Sequence, residues 1–107
     1  MTTARLDLTF AALADQTRLD VVARLAHGPA SVTELAAPYR MSLTGFLKHV
    51  RVLEDAGLVR TTKEGRVRHC ELRKKELDAA AGWFEHVRDM WERRLDRIER
   101  FLDEEEQ

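Results

Sequence analysis

The sequence predicts a mainly α chain with one small β-hairpin, and three stretches predict it. Residues 41–59, MSLTGFLKHVRVLEDAGLV, read as a single capped helix with one apolar and one polar face. Two runs rich in β-branched residues, 58–62 and 67–72, flank Lys63-Glu64-Gly65-Arg66, which has hairpin-turn chemistry. Over residues 75–102, Leu77, Phe84, Trp91 and Ile98 recur every seven residues, as they do along one side of a long helix. At 107 residues the chain makes one domain, near the size at which a second subunit helps to bury apolar surface.

In chain order, residues 1–14 carry the N-terminal helix, with Leu6, Phe10 and Leu13 at helical spacing. Asp15 is a good N-cap for the next helix, 17–26, which sets Leu19, Val22 and Leu25 on one side and is closed by Gly28-Pro29. Ser31-Val32-Thr33-Glu34 is a capping-box pattern, so a third short helix covers 32–37 until Pro38 ends it. The connection 38–41 is only a few residues long, which makes the third and fourth helices a tight pair of the helix-turn-helix kind.

The fourth helix is expected over 43–56, between the N-cap Ser42 and Gly57, the left-handed residue that stops it. Phe46, Val50 and Leu53 fall at i, i+4 and i+7 on the packing side, and Thr44, Leu47, Lys48 and Arg51 on the other. Any amphipathic surface helix gives such a stripe. The order of elements separates the cases: helices, then a helix with an outward basic face, then a basic hairpin. That order is a winged helix-turn-helix with a long C-terminal dimerisation helix. Residues 15–57 are its helical core with recognition helix 43–56, 58–72 the β-wing and 75–102 the last helix.

The formal net charge of −1 conceals a segregation. Residues 40–75 hold ten Lys/Arg against four Asp/Glu, a net +6, whereas residues 76–107 hold five Arg against eleven acids, a net −6. The centre can therefore face phosphate. The residues expected to meet double-stranded DNA are Ser42, Thr44, Gly45, Leu47, Lys48, His49 and Arg51 of the recognition helix and Lys63, Arg66 and Arg68 of the wing. Lys48 can reach guanine O6 and N7, Thr44 a base edge, and Leu47 the thymine methyl, while Arg66 and Arg68 suit phosphate. Gly45 lets the backbone approach the groove, and His49, flanking the packed face, is expected to pack or reach a phosphate. A solvated edge hairpin with protective charges is the alternative for the wing.

The apolar stripe on the last helix is wider than a small winged domain covers alone. Leu6, Phe10, Phe84, Val87, Trp91, Leu95, Ile98 and Leu102 are the expected interface of a homodimer. No cofactor and no metal is expected: the chain has one cysteine, Cys70, and four scattered histidines. No run approaches the roughly 20 apolar residues of a membrane span and no signal-peptide pattern opens the chain, so a cytoplasmic protein that contacts no membrane is expected. No constellation of catalytic residues is recognisable, which argues against an enzyme.

The segments FAALADQTRLDVVARL, SVTELA, MSLTGFLKHVRVLEDAGLV and KEGRVRHCEL, in this order, resemble the ArsR type of winged-helix transcriptional regulator over roughly residues 8–72. The resemblance implies a homodimer built on the first and last helices, two recognition helices in successive major grooves of an inverted-repeat operator, and repression relieved by an effector, here unknown. It also implies metal ligands in some members: paired thiols in the third helix, where Glu34-Leu35-Ala36-Ala37 stands, or Asp and His along the last helix, where His86 has no second histidine after it. At Leu47 it leads one to expect a small polar residue, commonly Ser. A winged-helix module used for protein contacts, or a metal-responsive repressor with an unrecognised site, are the other readings.

Overall fold

The computed structural model describes residues 5–106. Three helix starts are fixed by side chains. Asp15 accepts from the Arg18 N–H at the head of α2 (Gln16–Leu25), Ser31 from Glu34 N–H at α3 (Val32–Ala36), and Ser42 from Gly45 N–H at α4 (Leu43–Asp55). The Glu34 carboxylate accepts from the Ser31 hydroxyl at 3.1 Å and not from the Ser31 N–H, so only the first half of the expected capping box is made. The end of α4 is a complete Schellman motif: Leu58 N–H reaches Leu53 C=O and Gly57 N–H reaches Glu54 C=O, both at 2.9 Å, with Gly57 at φ +78°. A Cβ at Gly57 would stand 3.2 Å from Glu76, so the glycine also lets the last helix approach. Leu53 and Leu58, the two apolar positions that flank this motif, are both fully buried in the same core cluster.

Phe46, Val50 and Leu53 of α4 enter the core as their spacing requires, joined by Val21, Leu25, Leu35, Leu58, Val59 and Cys70. Tyr39 stacks on Phe46 with ring centroids 5.8 Å apart. On α1 (Leu6–Leu13) the fully covered positions are Thr9 and Ala12, while Leu6, Phe10 and Leu13 are half-buried. Small residues allow α1 to lie close against the body. On α2 the covered pair is Val21 and Leu25, and the expected Leu19 is 44% exposed. Val22 of the expected stripe is half-buried against the core, so Leu25 and Val22 pack as expected and Val21 takes the place of Leu19.

The hairpin is larger than expected. Strand β2 (Val59–Glu64) pairs antiparallel with β3 (Val67–Leu72) in the register Val59↔Leu72 to Glu64↔Val67, which leaves Gly65-Arg66 alone in the turn. Gly65 has φ +65° and Arg66 does not have positive φ, the pattern of a II′ turn. A third strand, β1 (Ala30–Ser31), pairs with β3 at Cys70 and His69, so the sheet order is β1-β3-β2. The helix α5 (Lys74–Glu105) is longer than expected at both ends, 32 residues or roughly 48 Å at 1.5 Å each. Leu77 and Ala80 meet the body, and Phe10 packs edge-on against Trp83 and Phe84 at 5.5 and 5.4 Å. Every residue from Ala81 to Glu106 is exposed, and the molecule extends 73 Å along its long axis.

Candidate nucleic-acid interface

The capped first turn of α4 and its buried stripe leave one side of the helix outside. Thr44, Lys48 and Arg51 are exposed on that side. Leu47 is half-buried and packs against the core, yet it also borders the same open groove of about 540 Å³ as Thr44, Lys48, Arg51, Glu54 and Arg68. The Ser42 hydroxyl is exposed but committed to the Gly45 N–H at 3.0 Å. A Cβ on Gly45 would stand 3.2 Å from that hydroxyl oxygen. Gly45 therefore makes room for its own N-cap as well as for anything approaching the helix. Leu43, 54% exposed beside Thr44, was missing from the expected set; its place one turn before Leu47 was the available signal.

The register of the wing sorts its cations. Cys70 is buried, and residues two apart on a strand share a face, so Arg68 and its cross-strand partner Lys63 stand on the α4 side. Lys63 lies within β2 and not in the turn, where the sequence placed it. Arg66 sits at the tip. On the opposite face Arg60 pairs with Glu71 at 4.0 Å and His69 lies 3.8 Å from Glu64. Glu54 Oε2 accepts from Thr61 at both N–H and hydroxyl, which ties α4 to β2. Five cations, Lys48, Arg51, Lys63, Arg66 and Arg68, thus face outward from one helix and one wing.

His49 departs from this row. Its ring is half-buried and its Nδ1 lies 3.0 Å from Arg18 Nη1 and 3.7 Å from Asp15 Oδ2. Since a guanidinium only donates, Nδ1 is the acceptor in this contact. Arg18 also donates from Nε to the Ala12 carbonyl at 2.6 Å and from Nη2 to Ala11 at 3.4 Å. The Arg18 N–H, and more weakly the positive charge nearby, hold the Asp15 carboxyl below the usual carboxylate range. No periodicity could have shown this contact, which joins residues 31 apart.

The residues expected to meet a second copy divide in two. Leu6 and Phe10 are half-buried within the chain; Phe84, Val87, Trp91, Leu95, Ile98 and Leu102 are exposed. Met90, on the same half of the helix, is exposed with them, and the structure adds Trp83 and Phe101 to this uncovered surface. Arg94 lies over the Trp91 ring at 5.8 Å. Among the described residues no three His, Cys, Asp or Glu side chains gather as a metal site, and no helix is long and apolar enough to cross a membrane. Burial pushes the Cys70 thiol up to about 11, with Glu54 adding to the shift and Arg68 opposing it.

Residues 13–62 match a family model described as a helix-turn-helix domain. The chain is similar to a solved ArsR family transcriptional regulator, RHA00566, with a TM-score of 0.78 and 47% identity, covering 81% of this chain and 90% of that one. An ArsR-like transcriptional regulator from Rhodococcus sp. RHA1 has a TM-score of 0.74 and 32% identity, covering 90% of this chain and 91% of that one. The HTH-type transcriptional regulator Rv2034 of Mycobacterium tuberculosis is 47% identical over 53 residues, 50% of each protein. That match spans about half the length of the curated relative.

Proposed function

Because the chain belongs to the ArsR family of transcriptional regulators, a family of DNA-binding proteins and not of enzymes, we propose that it is a homodimeric repressor. In this reading it binds an imperfect inverted repeat in the cytoplasm. The observation that carries it is the pairing of one outward basic surface per chain with one uncovered apolar face on α5. A single recognition helix reads only a few base pairs, and a two-fold pair reads two half-sites about 34–36 Å apart, one turn of duplex.

The division of labour follows from chemistry. Lys48, Thr44 and Leu47 are the base readers: an ammonium for guanine O6 and N7, a hydroxyl for either edge, and an apolar end for the thymine methyl. Arg66 and Arg68, with Lys63 and Arg51, hold phosphates and fix the register of the helix in the groove. With four such cations per chain and eight per dimer, counterion release sets an upper bound of about −7 for the slope of log K against log salt. Occupying an operator in this way excludes other proteins from it, which is repression.

Selection of binding fragments from a random DNA pool, followed by sedimentation of the purified chain with and without the selected fragment, tests the reading. A dimer on an inverted repeat is expected. A monomer on a single unrepeated site, or the absence of any enriched sequence, overturns it. Transcription in vitro from a promoter carrying the selected site then distinguishes repression from activation.

A further inference from the structure

Arg18 touches three helices at once. It belongs to α2; its Nε and Nη2 donate to the Ala12 and Ala11 carbonyls in the last turn of α1, and its Nη1 donates to His49 of α4. The Ala11 carbonyl also accepts from the C-cap Ala14 N–H at 3.2 Å, and a cation at this end of the helix meets the negative end of the helix dipole. Asp15 fixes the base of the side chain by accepting from the Arg18 N–H at 3.1 Å. The guanidinium is planar and always charged, so its nitrogens hold their partners at fixed relative directions, which a single ammonium on a flexible stem does not do.

What lies at each end gives this contact a meaning. At one end α1 is joined to α5 through Phe10, which packs on Trp83 and Phe84. At the other, His49 follows Lys48 directly on the recognition helix. The only side chain bridging the end of α1 to the middle of α4 among the hydrogen bonds of the described residues is Arg18.

We propose that Arg18 is a positioning residue for DNA binding: through His49 it fixes the recognition helix relative to α1 and α5, and so sets the spacing of half-sites the dimer accepts. This rests on the two-half-site reading above. A change of one base pair between half-sites moves the second by about 3.4 Å and turns it by about 35°, which a rigidly held pair of helices resists and a loosely held pair accommodates.

The test uses the full chain and the fragment it selects, resynthesised with the centre lengthened or shortened by one and two base pairs. Affinities are read by fluorescence anisotropy, and dimer content by sedimentation. The wild-type chain is expected to bind altered spacings about tenfold more weakly. Arg18→Met and His49→Leu, still sedimenting as dimers, should lower that ratio to about threefold or less. His49→Asn, whose amide oxygen stands near the place of Nδ1, should keep most of the wild-type ratio. Folded dimeric variants that lose affinity equally on every spacing overturn the proposal, because a merely structural role predicts that result. If Arg18→Met does not fold, equal ratios for His49→Leu and His49→Asn overturn it. A wild-type chain that binds a lone half-site as tightly as the full operator overturns the two-half-site reading itself, whatever the variants do.

Discussion

Glu54, in the last turn of α4, accepts both the backbone N–H of Thr61 at 3.2 Å and its hydroxyl at 2.6 Å. Thr61 is in the edge strand of the sheet, so this carboxylate covers a strand donor that β3 does not use and sets the wing against the recognition helix. The same carboxylate places a negative charge in a groove whose other charged residues are Lys48, Arg51 and Arg68. In the proposed DNA complex its two effects have opposite signs.

Glu54→Gln separates them. The amide oxygen keeps an acceptor for Thr61 while the charge is lost, so affinity for DNA of any sequence is expected to rise a few-fold. Glu54→Ala loses both, costs about 1 kcal/mol of stability, and should show a smaller gain or a loss. Anisotropy with an unrelated duplex checks the order, and weaker binding by the Gln variant refutes it.

For the dimer, replacing Trp91 and Leu95 together by Glu sets four carboxylates against a paired apolar face. Sedimentation at micromolar concentration should show monomers, with operator binding lost. A double variant that binds as tightly as wild type removes α5 from the interface.

In the wing, Arg66→Ala and Arg68→Ala should each weaken binding to all sequences alike and flatten the salt dependence by about 0.9 per phosphate contact, or about twice that for a two-fold dimer. Measuring log K at several salt concentrations decides. An unchanged slope in both variants assigns these arginines to solvent.

Leu47 has its body against the core and borders the groove, so Leu47→Ser should act twice. A loss of about 1 kcal/mol is expected, less than for a fully buried leucine, together with a change of preferred base away from thymine at one position per half-site. Melting curves and the enriched sequences of both proteins give the answer. A lower Tm with an unchanged sequence preference leaves the residue only its packing role.

Cys70 supplies the pH prediction. Its thiol is raised to about 11 from an ordinary value of 9.0, chiefly by burial, so between these values the folded chain holds a proton that the unfolded chain has released. The stability from this group is full below pH 9 and declines as pH rises toward 11. Urea unfolding over that range should show the decline, and Cys70→Ala should remove this component. In the native protein at neutral pH, alkylation of the thiol should be slow.

The recognition helix was legible because its signals are local. Ser42, Gly57 and the spacing of Phe46, Val50 and Leu53 lie within one stretch, and each specifies the same element. The strand Ala30–Ser31 was not, since two residues after Gly28-Pro29 show no alternation; its pairing is decided by β3, forty residues later. On α2, Val22 and Leu25 of the expected stripe pack on the core while Leu19 stays outside and Val21 is buried, a choice between neighbouring helical positions that depends on where α1 and α4 lie. The candidate site divides in the same way. That Thr44, Lys48 and Arg51 are exposed could be read from one helix, whereas the turn of His49 toward Arg18 and the hold of Glu54 on the wing depend on partners distant in sequence or on strand register.

The outer part of α5 has one more consequence. From Ala81 onward the helix has no buried residue, and helices of this kind draw most of their stability from packing and little from propensity. In the proposed dimer that packing comes from the other copy, so for these residues acquiring secondary structure and acquiring a partner are one reaction. Mass action then governs order: dilution acts on this helix as urea acts on an ordinary domain, and the amount of protein present sets the fraction of chains whose ends are folded.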